Sequence, residues 1–509
     1  MRKELLRTWR SGAVAVVVGL ALAGSASAQS KKGGVDPKAA TEAAEALQST
    51  LEEEARKGGE LCLALKDAVG IDFLLAELGA ENRKSNEHLP QEHYRDIAWE
   101  SLVRVTDPYL RERVEHALGE AKRNAFLREW CAELLGEYGD AALGRALMPA
   151  LSDKEDVVVR AAARAAGKLK LEKALVPLGS LARHKDPIVR ANAIEALARI
   201  APQKQRERFL EALKDKDGGV RCALLGALPS LFPDAVESAS STALADADWR
   251  PRLQAVLNLA TVRTKPAVDG LVRATGDGRS VVARRAVREL QGLTHMRFRR
   301  QVEWDGWWKA SRETFEFPGA ASQADVGEPE TVTSYNGIRV ESDHVAFLMD
   351  RSEAMTQTLK SKQTTKAVAA KTELDAVLRA LAGKIVFNVY VYADQVKPFA
   401  EKAEKLGPRN IDKALEFVSD SAPGGSKNIW QALEAVLADP DIDTVYLLSS
   451  GEPEVGKYVH SNRVTMHLAD LNRFRMLVVH SVAYSDSEFF RSQLQRIAQT
   501  TGGEFKYFE

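Results

Sequence analysis

Six arginines recur along the middle of this 509-residue chain at nearly constant intervals of 30 to 32 residues. They are Arg128, Arg160, Arg190, Arg221, Arg252 and Arg284. Leu/Ala-rich stretches of helical period separate them, and in the clearest copies, residues 155–162 and 186–193, an acidic residue stands just before the second helix. A repeat of this length is typical of stacked supersecondary units. We therefore predict helix pairs in which the acidic residue caps the second helix and the arginine pairs with a turn carboxylate of a neighbouring repeat.

The turn motif Asp-x-x-Val-Arg resembles the turn of short HEAT-type α-solenoids, and the resemblance covers about residues 107–295. It implies a helical array that presents a concave face to partners. Residues 151–300 carry 28 Lys and Arg against 17 Asp and Glu, although the whole chain has a formal net charge of zero. Because one structural arginine per repeat accounts for a basic array, we expect no nucleic-acid partner. The tryptophans of segment 304–308 are expected to cap the open end of the array.

An apolar run at residues 345–349 directly precedes a polar stretch at residues 350–355. The run does not alternate with polar residues, which indicates a buried parallel strand. Strand and helix patterns then alternate to residue 509, and this predicts a doubly wound parallel sheet over residues 342–509. The order looks like a von Willebrand factor A domain. Ligands of such open sheets bind in the crevice at the carboxyl ends of the strands, so the polar stretch is the candidate site.

That stretch resembles the first loop of the metal-ion-dependent adhesion site of these domains, whose pattern is Asp-x-Ser-x-Ser. Asp350 and Ser352 match the pattern, whereas Ala354 stands where the second serine is expected. The resemblance implies that a second loop supplies a threonine and a third loop an aspartate to Mg²⁺. Either Ser426 or Lys427 takes the threonine position, depending on the alignment of residues 424–430. In the third loop, residues 447–453, a serine stands at the aspartate position.

The resemblance thus implies a degenerate metal site. Its residues would be Asp350, Ser352, Ser426 and Ser450. Mg²⁺ requires oxygen ligands in octahedral order, and an ammonium in the second loop would oppose a cation. We therefore expect no cofactor, with Mg²⁺ as the alternative, and we predict that Lys427 neutralises Asp350 in place of a metal. The residues expected to line a partner-binding crevice are Asp350, Arg351, Ser352, Lys427 and Ser450.

The length of the chain implies at least two domains. The predicted divisions are a signal peptide at 1–28, an N-terminal helical region at 29–106, the solenoid at 107–295, a tryptophan-containing cap and linker at 296–341, and the A-type domain at 342–509. The leader combines a basic start, an apolar stretch and the small-residue sequence Ala26-Ser27-Ala28, which is typical of a cleaved signal peptide. We expect an exported protein, periplasmic or secreted, without a transmembrane span.

Nothing in the sequence predicts catalysis. The chain contains no G-x-S-x-G or H-E-x-x-H motif, and residues 451–458 resemble a phosphate loop but end in Tyr458, not Ser or Thr. The three cysteines, Cys62, Cys131 and Cys222, are too few for a disulfide framework and are expected to be buried. Two functions remain open. The first is a non-enzymatic protein-interaction scaffold, and the alternative is a metal-dependent adhesin that binds an acidic partner group through Asp350 and Ser352.

Overall fold

The computed structural model describes residues 35–80, 91–121, 124–318, 333–459 and 461–509. These residues belong to two compact units, which divide between Phe209 and Leu210. The predicted signal peptide at 1–28 lies outside the described residues, and so does segment 319–332 of the predicted linker. The five predicted divisions of the chain stay predictions.

The first unit is helical. Its helices are α1 (Pro37–Leu47), α2 (Glu52–Ala64), α3 (Ala68–Gly79), α4 (Gln91–Val103), α5 (Pro108–Glu120), α6 (Ala125–Tyr138), α7 (Leu147–Ala150), α8 (Asp156–Lys168), α9 (Leu175–Leu181), α10 (Pro187–Ile200) and α11 (Pro202–Ala212), whose last turn enters the second unit. Asp107 and Asp186 cap α5 and α10, and a proline at the first helical position follows each of them. Cys62 and Cys131 are buried and unpaired, as predicted.

The second unit begins with six further helices. They are α12 (Gly218–Leu231), α13 (Val236–Ala243), α14 (Trp249–Thr261), α15 (Lys265–Ala274), α16 (Ser280–Thr294) and α17 (Gln301–Ser311). Trp304 and Trp308 of α17 are buried in one apolar cluster with Val256, Leu271 and Leu290. Helix α17 therefore covers the apolar face left by the last helix pair. Cys222 is buried in α12.

The repeat arginines pair with carboxylates of the next turn in both units. Four pairs of this kind are present: Arg128–Asp153, Arg160–Asp186, Arg221–Asp246 and Arg252–Asp277. In the first pair, Arg128 Nε donates to Asp153 Oδ2 at 2.7 Å and Nη2 donates to Oδ1 at 2.8 Å. Burial raises the pKa of Asp153, but the hydrogen bonds and charge of Arg128 outweigh it, so the pKa falls below its usual value. The predicted structural role of these arginines is confirmed for the four pairs.

We expect the substitution Arg128→Ala to lower the free energy of unfolding by about 1–3 kcal/mol, because it removes two charge-assisted hydrogen bonds and leaves a mostly buried carboxylate unpaired. Thermal melting followed by circular dichroism measures the loss. Arg104→Ala is the matched control, since Arg104 pairs with Glu60 where both side chains are more than half exposed. Such a surface pair contributes about 0–1 kcal/mol. Equal melting temperatures for the two variants would contradict a structural role for Arg128.

The rest of the second unit is built on a seven-stranded sheet. Its elements are the hairpin β1 (Ser334–Tyr335) and β2 (Ile338–Arg339), which lies apart from the main sheet, then β3 (His344–Asp350), the short pair β4 (Thr358–Leu359) and β5 (Thr364–Thr365), α18 (Lys366–Ala380), β6 (Val386–Tyr392), β7 (Val396–Pro398), β8 (Glu404–Lys405), α19 (Pro408–Asp420), α20 (Ile429–Leu437), β9 (Thr444–Ser449), α21 (Ser461–Arg475), β10 (Val478–Tyr484), α22 (Glu488–Thr501) and β11 (Phe505–Phe508).

The main sheet has the order β11-β10-β9-β3-β6-β7, with β8 also paired to β6. Strands β3, β6, β9, β10 and β11 are parallel, whereas β7 and β8 run antiparallel to β6. The predicted doubly wound sheet is confirmed, and the antiparallel edge was not predicted. The order reverses between β3 and β9, which is the topological switch point where such sheets bind ligands.

The sheet domain is fastened to α16 at the amino ends of β3 and β9. Asp443, whose side chain is 0% exposed, pairs with Arg279 Nε at 2.9 Å and accepts hydrogen bonds from the Ser342 and Thr444 hydroxyls. Burial raises the pKa of Asp443, and the charge of Arg279 opposes that shift only in part. Ser280 Oγ donates to Asp343 Oδ1 at 2.5 Å. The last helical repeat and the sheet domain are therefore joined by a buried ion pair.

Candidate functional site

Asp350 lies at the carboxyl end of β3 and is the centre of the candidate site. Its Oδ1 accepts a hydrogen bond from Ser352 N at 2.7 Å. Its Oδ2 accepts hydrogen bonds from Ser450 N at 2.8 Å and Ser450 Oγ at 2.6 Å. The hydroxyls of Ser352 and Ser450 are 3.3 Å apart, and all three residues are buried. Both carboxylate oxygens are thus held by donors from the chain itself.

The parallel pairing of β3 with β9 explains this convergence. Met349 lies opposite Leu448 in the register, so the two strands end side by side and the first and third loops leave the sheet together. A short 3₁₀ turn, Glu353–Thr356, follows Ser352 and buries Met355 beneath the loop. The predicted meeting of Asp350, Ser352 and Ser450 therefore follows from strand order alone.

The second loop contacts the first through its backbone. Gly424 N donates to Arg351 O at 2.9 Å, and Glu353 N donates to Gly425 O at 3.0 Å. Gly425 has a φ of 72°, and a Cβ at this position would lie 2.2 Å from an Asp394 carboxylate oxygen. Only glycine fits there. This loop is therefore locked against the first loop by main-chain contacts.

Ser426 does not join the cluster around Asp350. Its backbone N donates to Asp394 Oδ1 at 2.9 Å, and its hydroxyl makes no hydrogen bond within the described residues. Sequence reasoning did not single out Asp394. The available signal was its position just after β6, because the carboxyl end of β6 lies at the same edge of the sheet as that of β3.

Lys427 is buried in the second loop, and its Nζ donates to Glu454 Oε1 at 2.5 Å. The predicted contact between this ammonium and Asp350 is not formed. The reason is local, since Glu454 N and Val455 N both donate to Lys427 O, at 2.9 and 3.3 Å, and this brings the Glu454 carboxylate within reach of the ammonium. Asp350 is instead satisfied by hydroxyl and backbone donors.

Arg351 points away from Asp350, and its Nε donates to Ser421 O at 2.5 Å. Burial lowers the pKa of the guanidinium, and the charge of Asp350 opposes that shift. The residue is buried, so its side chain braces the first loop against the segment that follows α19. Of the five predicted crevice residues, Asp350, Ser352 and Ser450 form one cluster. The side chains of Arg351 and Lys427 instead bind to residues of neighbouring loops, Ser421 and Glu454.

These residues fit Mg²⁺ poorly. The cluster offers one carboxylate, which already accepts three hydrogen bonds, and two serine hydroxyls. Ala354 supplies no oxygen ligand from its side chain, and an ammonium occupies the second loop. A hard cation with octahedral demands would find few oxygen ligands in this cluster.

A second group of titratable residues lies at the amino ends of β3 and β9, at the end of the sheet opposite Asp350. Ligand atoms of Asp343, His344 and Asp443 lie within 4.8 Å of one another. Sequence reasoning missed this group because Asp443 lies about 100 residues after the adjacent pair Asp343 and His344. Hydrogen bonds from Ser280 and an ion pair to Arg279 already engage the two carboxylates, so the group belongs to the junction with α16.

Comparison with known proteins agrees with this architecture. A family model described as HEAT repeats matches residues 175–241. The human von Willebrand factor A domain-containing protein 3B is 24% identical over 171 residues, which cover 33% of this chain and 12% of the human protein. The match therefore spans only about an eighth of that relative's length.

Two solved structures are also similar. A von Willebrand factor type A protein from Catenulispora acidiphila is 15% identical, with a TM-score of 0.27, and the match covers 34% of this chain and 40% of that one. A chain from the complex of CpcE and CpcF of phycocyanin lyase from a Nostoc species is 18% identical, with a TM-score of 0.28, over 52% of this chain and 98% of that one.

The repeat turns with their arginine pairs, the HEAT-repeat match and the doubly wound sheet together define the class of protein. This chain carries HEAT repeats followed by a von Willebrand factor A domain. Within the residues that the structure describes, no helix is both long and apolar enough to cross a membrane.

Proposed function

We propose that this protein is an exported, non-enzymatic scaffold that binds protein partners through the solenoid face and the crevice of the A domain, without a divalent metal. Nucleic acid is not among the proposed partners. The leader at residues 1–28 supports export, because its three-part pattern is typical of cleaved signal peptides. HEAT repeats and A-type domains are typical protein-interaction modules, which supports a binding role.

The single observation that carries metal independence is that donors of the chain itself engage both carboxylate oxygens of Asp350. Three donors from Ser352 and Ser450 satisfy its carboxylate, so the loop needs no cation to hold its shape. A divalent metal would also need further oxygen ligands, and the side chains of Ala354 and Lys427 supply none. The crevice then acts as a preformed surface that recognises partners through shape and hydrogen bonds.

The metal-dependent adhesin is the second candidate function. The observation in its favour is that Asp350 and Ser352 stand in the same loop and that the hydroxyls of Ser352 and Ser450 are 3.3 Å apart. A metal bound there would coordinate an acidic group of the partner. The two candidates differ in one property, since only the adhesin loses its partner when divalent cations are removed.

Partner capture with and without chelator separates these functions. The leaderless chain is immobilised and exposed to the extracytoplasmic fraction of its source, in EDTA and in Mg²⁺, and bound proteins are identified by mass spectrometry. The scaffold predicts that the same partners bind in both buffers. Partners retained in Mg²⁺ and lost in EDTA would favour the adhesin. Ser426→Trp, which places a bulky ring in the half-buried second loop, locates the binding surface if it reduces capture.

Export has its own test. We expect cleavage after Ala28, because Ala26-Ser27-Ala28 is a small-residue cleavage sequence that follows the apolar stretch. N-terminal sequencing and intact mass of protein recovered from the periplasm or medium should show Gln29 as the first residue. Protein that retains Met1 and stays with the membrane fraction would contradict export as a soluble product.

A further inference from the structure

Arg284 continues the register of the repeat arginines but lacks their carboxylate. In the four pairs described above, the aspartate stands 25 or 26 residues after the arginine. The residues at those distances from Arg284 are Lys309 and Ala310. The last repeat therefore keeps the arginine, but a lysine or an alanine stands where the other repeats have the aspartate.

Arg284 lines a cleft of about 430 Å³ in the second unit, between helices α14 and α16 and the sheet domain. We call this the arginine cleft. Its five arginines are Arg284, Arg285, Arg288, Arg339 and Arg473. Among the residues that the structure describes, the acidic residues lining it are Glu341 and Glu504. The volume lies within the range of small-molecule sites, and the charge balance favours an anion.

Two of the five guanidiniums have no partner among the described residues. Within the described part of the chain, the side chains of Arg284 and Arg339 make neither a hydrogen bond nor a salt bridge. Arg288 pairs with Glu341 at 2.9 Å, and Arg285 pairs with Glu289 at 2.5 Å. The unpaired cations come from different elements, Arg284 from α16 and Arg339 from β2, and both line the cleft.

The rest of the lining gives the cleft an apolar wall and a neutral histidine. The apolar side chains are Leu253, Leu257, Val281, Met476 and Leu477. Burial, and to a lesser extent the charge of Arg288, lowers the pKa of His480 to about 4. His480 is thus uncharged at neutral pH. Its ring stacks on Tyr446, and its Nδ1 accepts a hydrogen bond from Glu504 N at 3.0 Å. The positive charge of the cleft therefore comes from arginines alone.

We propose that the arginine cleft binds a small organic anion that carries two or more phosphate or carboxylate groups, held by Arg284 and Arg339. The planar fork of a guanidinium matches both kinds of oxyanion in bidentate geometry. Two forks from separate elements suit a ligand with more than one anionic group, and the apolar lining residues can contact its carbon skeleton. The site is distinct from the crevice at Asp350, because it lies at the amino ends of the strands.

Isothermal titration of the full leaderless chain tests the site, with pyrophosphate as the phosphate probe and citrate as the carboxylate probe, both at constant ionic strength. We expect one saturable site per chain for at least one probe, and the tighter probe identifies the anionic group. Arg284→Ala and Arg339→Ala should each weaken binding by about tenfold or more, since each removes a charge-assisted contact. Arg284→Gln repeats the test with a longer polar side chain.

Arg273→Ala is the matched control, because Arg273 is an exposed arginine of α15 that does not line the cleft. It removes the same charge and should leave binding unchanged. Unchanged melting temperatures of all variants show that the fold is intact. The absence of saturable binding for both probes would overturn the proposal. Equal weakening by Arg273→Ala would do the same, since it would reduce binding to a general charge effect.

Discussion

The substitution Arg279→Ala is expected to lower the free energy of unfolding of the second unit by about 3–5 kcal/mol, the usual effect of removing one partner of a buried ion pair. The side chain of Asp443 is 0% exposed and that of Arg279 is 14% exposed. Without the guanidinium, Asp443 would keep only the hydroxyls of Ser342 and Thr444 as donors. The substitution would also remove the hydrogen bond from Arg279 to Asp441 O.

Thermal melting of the full chain measures this loss, and two further variants make it specific. Arg288→Ala removes a more exposed pair with Glu341, with side chains 58% and 40% exposed, so it should cost about 0–1 kcal/mol. The double variant Arg279→Ala with Asp443→Asn should recover part of the loss, because the stranded charge is gone. If Arg279→Ala melts at the same temperature as Arg288→Ala, the ion pair does not fasten the sheet domain.

The substitution Asp350→Ala is expected to lower the free energy of unfolding by about 2–4 kcal/mol, because it leaves three buried donors of Ser352 and Ser450 without an acceptor. Asp350→Asn should cost less, since its carbonyl oxygen still accepts from one side. Ser426→Ala is the control. The Ser426 hydroxyl makes no hydrogen bond in the described structure, so its loss should change stability by about 0.5 kcal/mol or less.

Melting in EDTA and in Mg²⁺ gives the Asp350 experiment its second arm. If donors of the chain hold the carboxylate, the difference between wild type and Asp350→Ala is the same in both buffers. If the wild-type protein melts at a higher temperature in Mg²⁺ and Asp350→Ala does not, a bound cation also stabilises the site.

Much of this architecture could be predicted from sequence because it depends on periodic or local patterns. The repeat arginines recur every 30 to 32 residues, which indicates a structural role, and in the four pairs the aspartate follows 25 or 26 residues after its arginine. The apolar run before Asp350 identifies β3, and the order of a doubly wound sheet then places Ser450 beside Asp350. These features need no knowledge of side-chain conformation.

Other features could not be predicted, because the sequence does not show which of several possible side-chain contacts forms. The converging loops carry several carboxylates, and the main-chain bonds of Glu454 and Val455 to Lys427 O bring Glu454 to the Lys427 ammonium. Arg279 and Asp443 are 164 residues apart, so no local pattern connects them. The antiparallel edge strands β7 and β8 are two or three residues long, which is too short for a periodic signal.

The central claim is that the A domain keeps its crevice without a divalent cation, and calorimetric titration of Mg²⁺ and Mn²⁺ into the leaderless chain tests it most directly. Asp350→Asn serves as the site variant. Asp343→Asn controls for the acidic group at the amino ends of β3 and β9. We predict no saturable heat at the crevice and no change in melting temperature with either metal. Saturable micromolar binding of one ion per chain, abolished by Asp350→Asn but not by Asp343→Asn, would contradict the account and establish the adhesin.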